Sequence, residues 1–216
     1  MMELTVPFLE NADKSSAIEH LSFLLDVQEK HPIAIRPWPT YGYKPDVCFA
    51  IAYSNDSFFL KYYVKEKTIK ATYTRPNEPV YQDSCVEFFL GFGNELGYYN
   101  FEFNCIGTCL LGFGRGRENR ELLPEALIQK IKSQARLTRE DDHGHGNVSW
   151  ELTLMIPLEV FCHHSFTSLK GQQCHANFYK CGDELPEPHF LTWNNIESTD
   201  PDFHRPEFFG EIKLGN

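Results

Sequence analysis

Clustered positive charge is the first thing this sequence lacks. Its 20 Lys and Arg are outnumbered by 30 Asp and Glu, a formal net charge of −10. A surface that tracks a phosphate backbone gathers Lys and Arg on one side, so nucleic acid is not an expected partner. Long apolar runs are missing as well. None nears the ~18 residues that a membrane-spanning helix needs, and no membrane partner is expected. The opening residues, MMELTVPFLENADK, hold no basic segment followed by an apolar one, so they carry no sign of a secretory leader. No CxxC pair occurs among the seven cysteines, the nearest spacing being CIGTC. Several of the seven sit inside apolar alternating patterns, where a free thiol behaves as a small hydrophobe. Reduced, structural cysteines are therefore expected rather than a disulfide framework or a zinc site. Together these absences point to the cytoplasm, or to secretion if a leader has been removed.

What the sequence has in quantity is aromatic residues in alternating patterns. Its 216 residues include 18 Phe and 10 Tyr, side chains that pack well on pleated sheets. VCFAIAYSND and SFFLKYYVKE flank the turn residues Asn55, Asp56 and Ser57 and read as a hairpin. TIKATYT extends it as a meander, followed by SCVEFFLGF, YYNFEFN and TCLLGFG. SWELTLMIPLEVF, HANFYKCG, HFLTWNNI and EFFGEIKL continue the strand pattern towards the C-terminus. Two segments have helical spacing instead. SSAIEHLSFLLDVQEK carries Ile18, Leu21, Leu24 and Leu25, with Ser15 or Ser16 as the expected N-cap. NRELLPEALIQKIKS carries Leu123, Leu127, Ile128 and Ile131 on one stripe. About ten strands with no βαβ rhythm predict an all-β fold, an antiparallel, jelly-roll-like sandwich with one or two short peripheral helices. One domain over residues 1–216 is expected, with residues 1–32 as a helical N-terminal extension.

Four stretches invite a chemical reading. GFGRGR (112–117) precedes a predicted helix, yet its G-x-G-x-G spacing matches neither the dinucleotide fingerprint nor a P-loop, and it reads as a flexible connection. DDHGHG (141–146) offers two imidazoles and two acids, which also describes an exposed hairpin tip. Cys162, His163 and His164, with Cys174 and His175, match no zinc spacing. No metal ligand is assigned. The fourth stretch is CVEFFL, where Glu87 stands inside an apolar run. Side chains alternate faces along a strand, so Val86, Phe88 and Leu90 point into the core and Glu87 points away from it. In YYNFEFN the same alternation sets Glu102 and Asn104 opposite Phe101 and Phe103. If the two strands are neighbours, Glu87, Glu102 and Asn104 line one polar face. Such a face suits sugar hydroxyls, and a pair of carboxylates also suits a glycosidase acid and nucleophile.

PVYQDSCVEFFL, YYNFEFNCIG, SWELTLMIPLEVF, HANFYKCGDELPEPHFLTWNNI and FHRPEFFGEIKL, in this order, resemble carbohydrate-binding module family nine. More narrowly, they resemble the stand-alone family nine-like proteins of bacteria associated with xylan degradation. The similarity runs from about Ile33 to Leu214. It implies a jelly-roll sandwich that binds a sugar or oligosaccharide without cleaving it, with a glycoside hydrolase using Glu87 and Glu102 as the alternative. It further implies two aromatic rings that clamp the sugar. Tyr81 stands where the family has a tryptophan, and Trp193 is the expected second ring. Glu87, Glu102 and Asn104 are the expected hydrogen-bonding partners. No cofactor is expected, apart from the structural calcium that the resemblance allows. Tyr81, Trp193 and Glu87 are accordingly expected to converge on one open cleft.

Overall fold

The computed structural model describes residues 2–139 and 147–215. The chain opens with strand β1 (Glu3–Val6), helix α1 (Ile18–Asp26), β2 (His31–Pro32) and the long hairpin β3 (Asp46–Tyr53) and β4 (Ser57–Glu66). A second run follows: β5 (Cys85–Phe92), β6 (Tyr98–Asn104), β7 (Cys109–Gly114), β8 (Arg120–Leu122) and the single turn α2 (Glu125–Ile128). The chain closes with β9 (Lys132–Arg139), β10 (Val148–Pro157), β11 (Gln173–Cys181), β12 (Phe190–Thr192) and β13 (Gly210–Leu214).

These strands form two sheets. The larger has the order β1-β13-β11-β5-β6-β7-β8, with β12 also paired to β11. The smaller has the order β2-β3-β4-β10-β9. Every pairing is antiparallel except that of β1 with β13. The expected sandwich is the one observed. Val86, Phe88 and Leu90 of β5, Phe101 and Phe103 of β6 and Phe178 of β11 meet Phe49, Leu60 and Leu154 of the smaller sheet. Phe178 is stacked between two rings, with centroids 3.8 Å from Phe49 and 5.0 Å from Phe88.

The outer face of the larger sheet is covered too. Cys85, Phe89, Tyr98 and Tyr179 pack beneath Trp38, Ile196, Phe203 and Phe209, all supplied by connecting segments and strand ends. That cover buries every residue of β5. Helix α1 does the same for the smaller sheet, setting Leu21 and Leu25 against Ala50, Ala52, Phe59 and Met155.

Four local expectations are corrected. Helix α1 has Ala17, not Ser15 or Ser16, at its N-cap, without a side-chain bond. The preceding turn is organised by Asp13 Oδ1, which accepts from the Ser15 and Ser16 amides at 2.8 and 3.1 Å. The second predicted helix shrinks to Glu125–Ile128, with β8 before it and β9 after it. Proline disfavours helical geometry in the residue before it and offers no N–H of its own, so Pro124 starts a helix only after itself. Leu123, Leu127, Ile128 and Ile131 still face the core together. TIKATYT forms no strand; it passes over Asp83, whose carboxylate accepts from the Thr72 and Tyr73 amides at 2.9–3.0 Å. The N-terminal segment expected as helical supplies a strand, β1, as well as α1.

Candidate ligand pocket on the outer face of the larger sheet

Register places Glu87 of β5 directly across from Glu102 of β6. On the other flank of β5, Cys85 lies across from Cys181 of β11. Both acids are buried, 3 % and 2 % exposed, at the floor of a pocket of about 540 Å³ counted to its open mouth. The walls come from segments that ride over the sheet. Tyr81 precedes β5, Asp183 follows β11, Phe190 starts β12, Arg117 and Arg120 come from the β7–β8 hairpin, and Pro201 to His204 close one side.

The electrostatics of the floor follow from burial. Glu102 Oε1 accepts from Asn100 Nδ2 at 3.0 Å and from Arg120 Nη1 at 3.3 Å. Loss of solvation outweighs that help and pushes the Glu102 carboxyl up to about 7. Glu87 is raised well above the usual carboxylate range by burial and by the charge of Glu102. Its Oε1 lies 3.1 Å from Cys181 Sγ, which donates to it. Burial also lifts Asp183 to about 6. His204 is lowered to about 3 by burial and by Arg120, so its ring is neutral at ordinary pH. Arg120 Nη1 donates to His204 Nε2 at 2.8 Å, which assigns the ring proton to Nδ1, 2.8 Å from Tyr98 Oη. Arg120 is thereby held between Glu102 and His204. One buried oxygen on this floor, Glu102 Oε2, has no hydrogen-bond partner among the described residues.

Of the five residues expected to share a site, the structure brings three together. Tyr81, Glu87 and Glu102 line the pocket. Asn104 does not. It lies on the expected face, but its Nδ2 donates to Asp83 Oδ2 at 3.0 Å and to Tyr73 O at 2.8 Å, while its Oδ1 accepts from Thr108 N at 3.0 Å. Its hydrogen-bonding capacity is thus taken up within the protein. Trp193 does not either, and its assignment is corrected. Its indole is 3 % exposed inside the sandwich and packs edge-on to Phe178, with centroids 5.6 Å apart. The reason is strand parity. Leu191 and Trp193 turn to the core, and Phe190 turns to the pocket.

Arg117, Arg120, Asp183, Phe190, Phe203 and His204 were not anticipated. Arg117 and Arg120 escaped because 112–117 read as a flexible connection and the residues after it as a helix. His204 and Asp183 sit in FHRP and CGDE runs that were visible without a role. Elsewhere, DDHGHG falls outside the described residues. His163 stacks on Phe113 with centroids 4.1 Å apart and lies 2.8 Å from Glu121 Oε1, while His164 shares a 2.9 Å bond with Tyr99 Oη. These are packing roles.

Residues 19–214 match the profile described as carbohydrate-binding family 9. No curated protein matches the sequence. Among solved structures, a protein of Bacteroides uniformis to which carbohydrate binding is ascribed shares 37% identity over 99% of both chains, with a TM-score of 0.90. A family 9 carbohydrate-binding module from Caldicellulosiruptor kristjanssonii in complex with glucose has 13% identity and a TM-score of 0.62, covering 99% of this chain and 96% of that one. The complex of such a module with cellotriose, from the same organism, has 13% identity and a TM-score of 0.61, covering 99% and 93%. At that identity the likeness is one of fold.

Proposed function

Because this chain belongs to carbohydrate-binding family 9, we propose that the pocket over Glu87 and Glu102 binds a sugar or the end of an oligosaccharide released in polysaccharide breakdown, and that it does so without cleaving it. The ligand class is supported by the distant modules in complex with glucose and cellotriose. The observation that carries the reading is the buried, unpartnered Glu102 Oε2 in the pocket floor. Leaving such a group unpaired costs ~1–3 kcal/mol, which a ligand hydroxyl donating to it would recover. Tyr81 and Phe190 provide apolar ring surface for a pyranose. Glu87, held above the usual carboxylate range by burial, can donate when protonated as well as accept, and Arg120 and Arg117 supply N–H donors at the rim. All seven cysteines are free and five are buried, in keeping with a reducing, cytoplasmic setting.

Calorimetric titration with glucose, xylose, cello-oligosaccharides and xylo-oligosaccharides tests the proposal and separates glucan from xylan fragments. Heat is expected with at least one of them, lost in Tyr81→Ala. No heat with any would overturn it. Hydrolysis has one observation in its favour, two carboxyls on one face with one of them raised to about 7. Both rise side by side from the same floor, however, whereas a glycosidase acid and nucleophile flank the scissile bond. Release of reducing sugar that disappears in Glu87→Gln would establish the hydrolase instead.

A further inference from the structure

Below the pocket, three groups of metal-binding type converge from two strands. Cys85 and Cys181 are directly paired across β5 and β11. Glu87 lies two residues further along β5 and therefore on the same face. The two sulfurs and a Glu87 carboxylate oxygen all lie within 4.8 Å of one another, and all three residues are buried. We propose that Cys85, Cys181 and Glu87 form a zinc site whose fourth coordination position opens into the pocket.

The donor set selects the ion. Two thiolates and one carboxylate suit a thiophilic, tetrahedral dication, whereas calcium and magnesium require oxygen cages. The spacing is close to what the ion needs. Zn–S bonds of ~2.3 Å and Zn–O bonds of ~2.0–2.2 Å in a tetrahedron hold neighbouring ligand atoms ~3.4–3.8 Å apart. Cys181 Sγ and Glu87 Oε1 are already 3.1 Å apart. Side-chain rotation then suffices to draw in Cys85.

Access is one-sided. Glu87 and Cys181 line the pocket, and Cys85, 0 % exposed, closes the underside. An ion would enter through the pocket and keep its remaining position, for water or a ligand hydroxyl, on that side. Burial and the nearby carboxylates favour the protonated forms of Cys85 and Glu87, with Lys180 and Arg120 opposing them more weakly, so the ion itself displaces these protons as it binds. Glu102 Oε2 stays free for the sugar in this arrangement, while Glu87, shared by the two readings, would serve the ion.

Cobalt(II) titration of the whole chain, reduced with a phosphine under argon and without sugar, tests the site. One equivalent is expected to bind with near-ultraviolet thiolate-to-cobalt charge-transfer bands and the intense visible bands of tetrahedral coordination, and zinc is expected to displace it. Cys85→Ser and Cys181→Ser should each reduce the charge-transfer intensity. Each should also weaken binding by more than the ~10–100-fold that loss of a ligand's supporting hydrogen bond costs. Glu87→Gln should weaken binding but keep the thiolate bands, and Cys162→Ser, at an exposed cysteine, should change nothing. X-ray absorption on the zinc-loaded wild type should show two sulfur neighbours, which covers the case of a variant that does not fold. An all-oxygen or nitrogen shell, bands undiminished in the Cys85 and Cys181 variants, or no stoichiometric binding would each overturn the proposal. Sugar calorimetry on chelator-treated protein reports on the other reading separately.

Discussion

Tyr81 and Trp193 show how differently two aromatic residues can serve. Trp193 packs edge-on against the stacked pair Phe49 and Phe178, so Trp193→Ala should cost ~3–5 kcal/mol as a cavity in a packed core. Chemical denaturation would measure that loss, and the folded fraction should still bind sugar. Tyr81→Ala is expected to do the reverse, lowering affinity by an order of magnitude or more with little change in melting temperature, since aromatic anchors dominate ligand contacts at ~2 kcal/mol or more. If the Trp193 variant lost binding while fully folded, the placement of the two rings would be wrong. Glu102 adds a pH signature. In the folded protein its proton is held up to about 7, against 4.5 for a solvated glutamate. Between those values the folded state binds more protons than the unfolded one, so stability falls as pH rises through that window. With chelator present, Glu102→Gln should gain melting temperature relative to the wild type between about pH 5 and pH 8. Parallel curves would show that Glu102 is ionised throughout.

At the level of elements, β8 is three residues long and carries the pocket's best-anchored arginine. It is held against β7 by close backbone approach at Gly114. A Cβ there would lie 2.2 Å from Asn119 O and 2.5 Å from Arg120 Cα, and neither backbone atom yields cheaply. Gly114→Ala should therefore displace β8 and weaken sugar binding in the same direction as Arg120→Ala. For Arg120→Ala the expected loss is about tenfold or more, the ~1.5–3 kcal/mol of a hydrogen bond to a charged group. Unchanged calorimetry in both variants would remove Arg120 from the site.

Strands such as β5 and β6 were legible in the sequence because period-two alternation is a local property, and it set Glu87 and Glu102 on one face before any pairing was known. β8 was not legible: its short stretch lies inside a run of helical spacing, and only the effect of Pro124 on its predecessor argues otherwise. Parity on β12 was visible too, since Phe190 and Trp193 alternate. Which of them faces the core depends on pairing with β11, and that is a tertiary fact. The Cys85–Cys181 pair needs the same information.

For the molecule as a whole, the two sheets are joined by more than apolar contact. Lys180 of the larger sheet and Glu66 of the smaller are fully buried and form an ion pair at 3.1 Å, and Trp150 Nε1 donates to the other Glu66 oxygen at 2.7 Å. Lys180 Nζ also donates to His189 Nε2 at 2.8 Å. Glu66→Ala would strand the Lys180 charge inside the sandwich, at ~3–5 kcal/mol, readable as a shifted urea midpoint with the slope unchanged. A variant as stable as the wild type would show that water reaches Lys180.

The parallel pairing of β1 with β13 has a mechanical consequence. Glu3 lies beside Glu211 and Val6 beside Leu214, with Glu211 N donating to Met2 O at 3.0 Å and Gly215 N to Val6 O at 2.9 Å. Tension applied through the chain on either side of this ribbon pulls the two strands past each other lengthwise. Their hydrogen bonds are then loaded together, in shear, instead of being opened one after another like a zipper. Pulled from its two ends, the molecule should yield in one abrupt, high-force event, and single-molecule pulling would record it as a single peak.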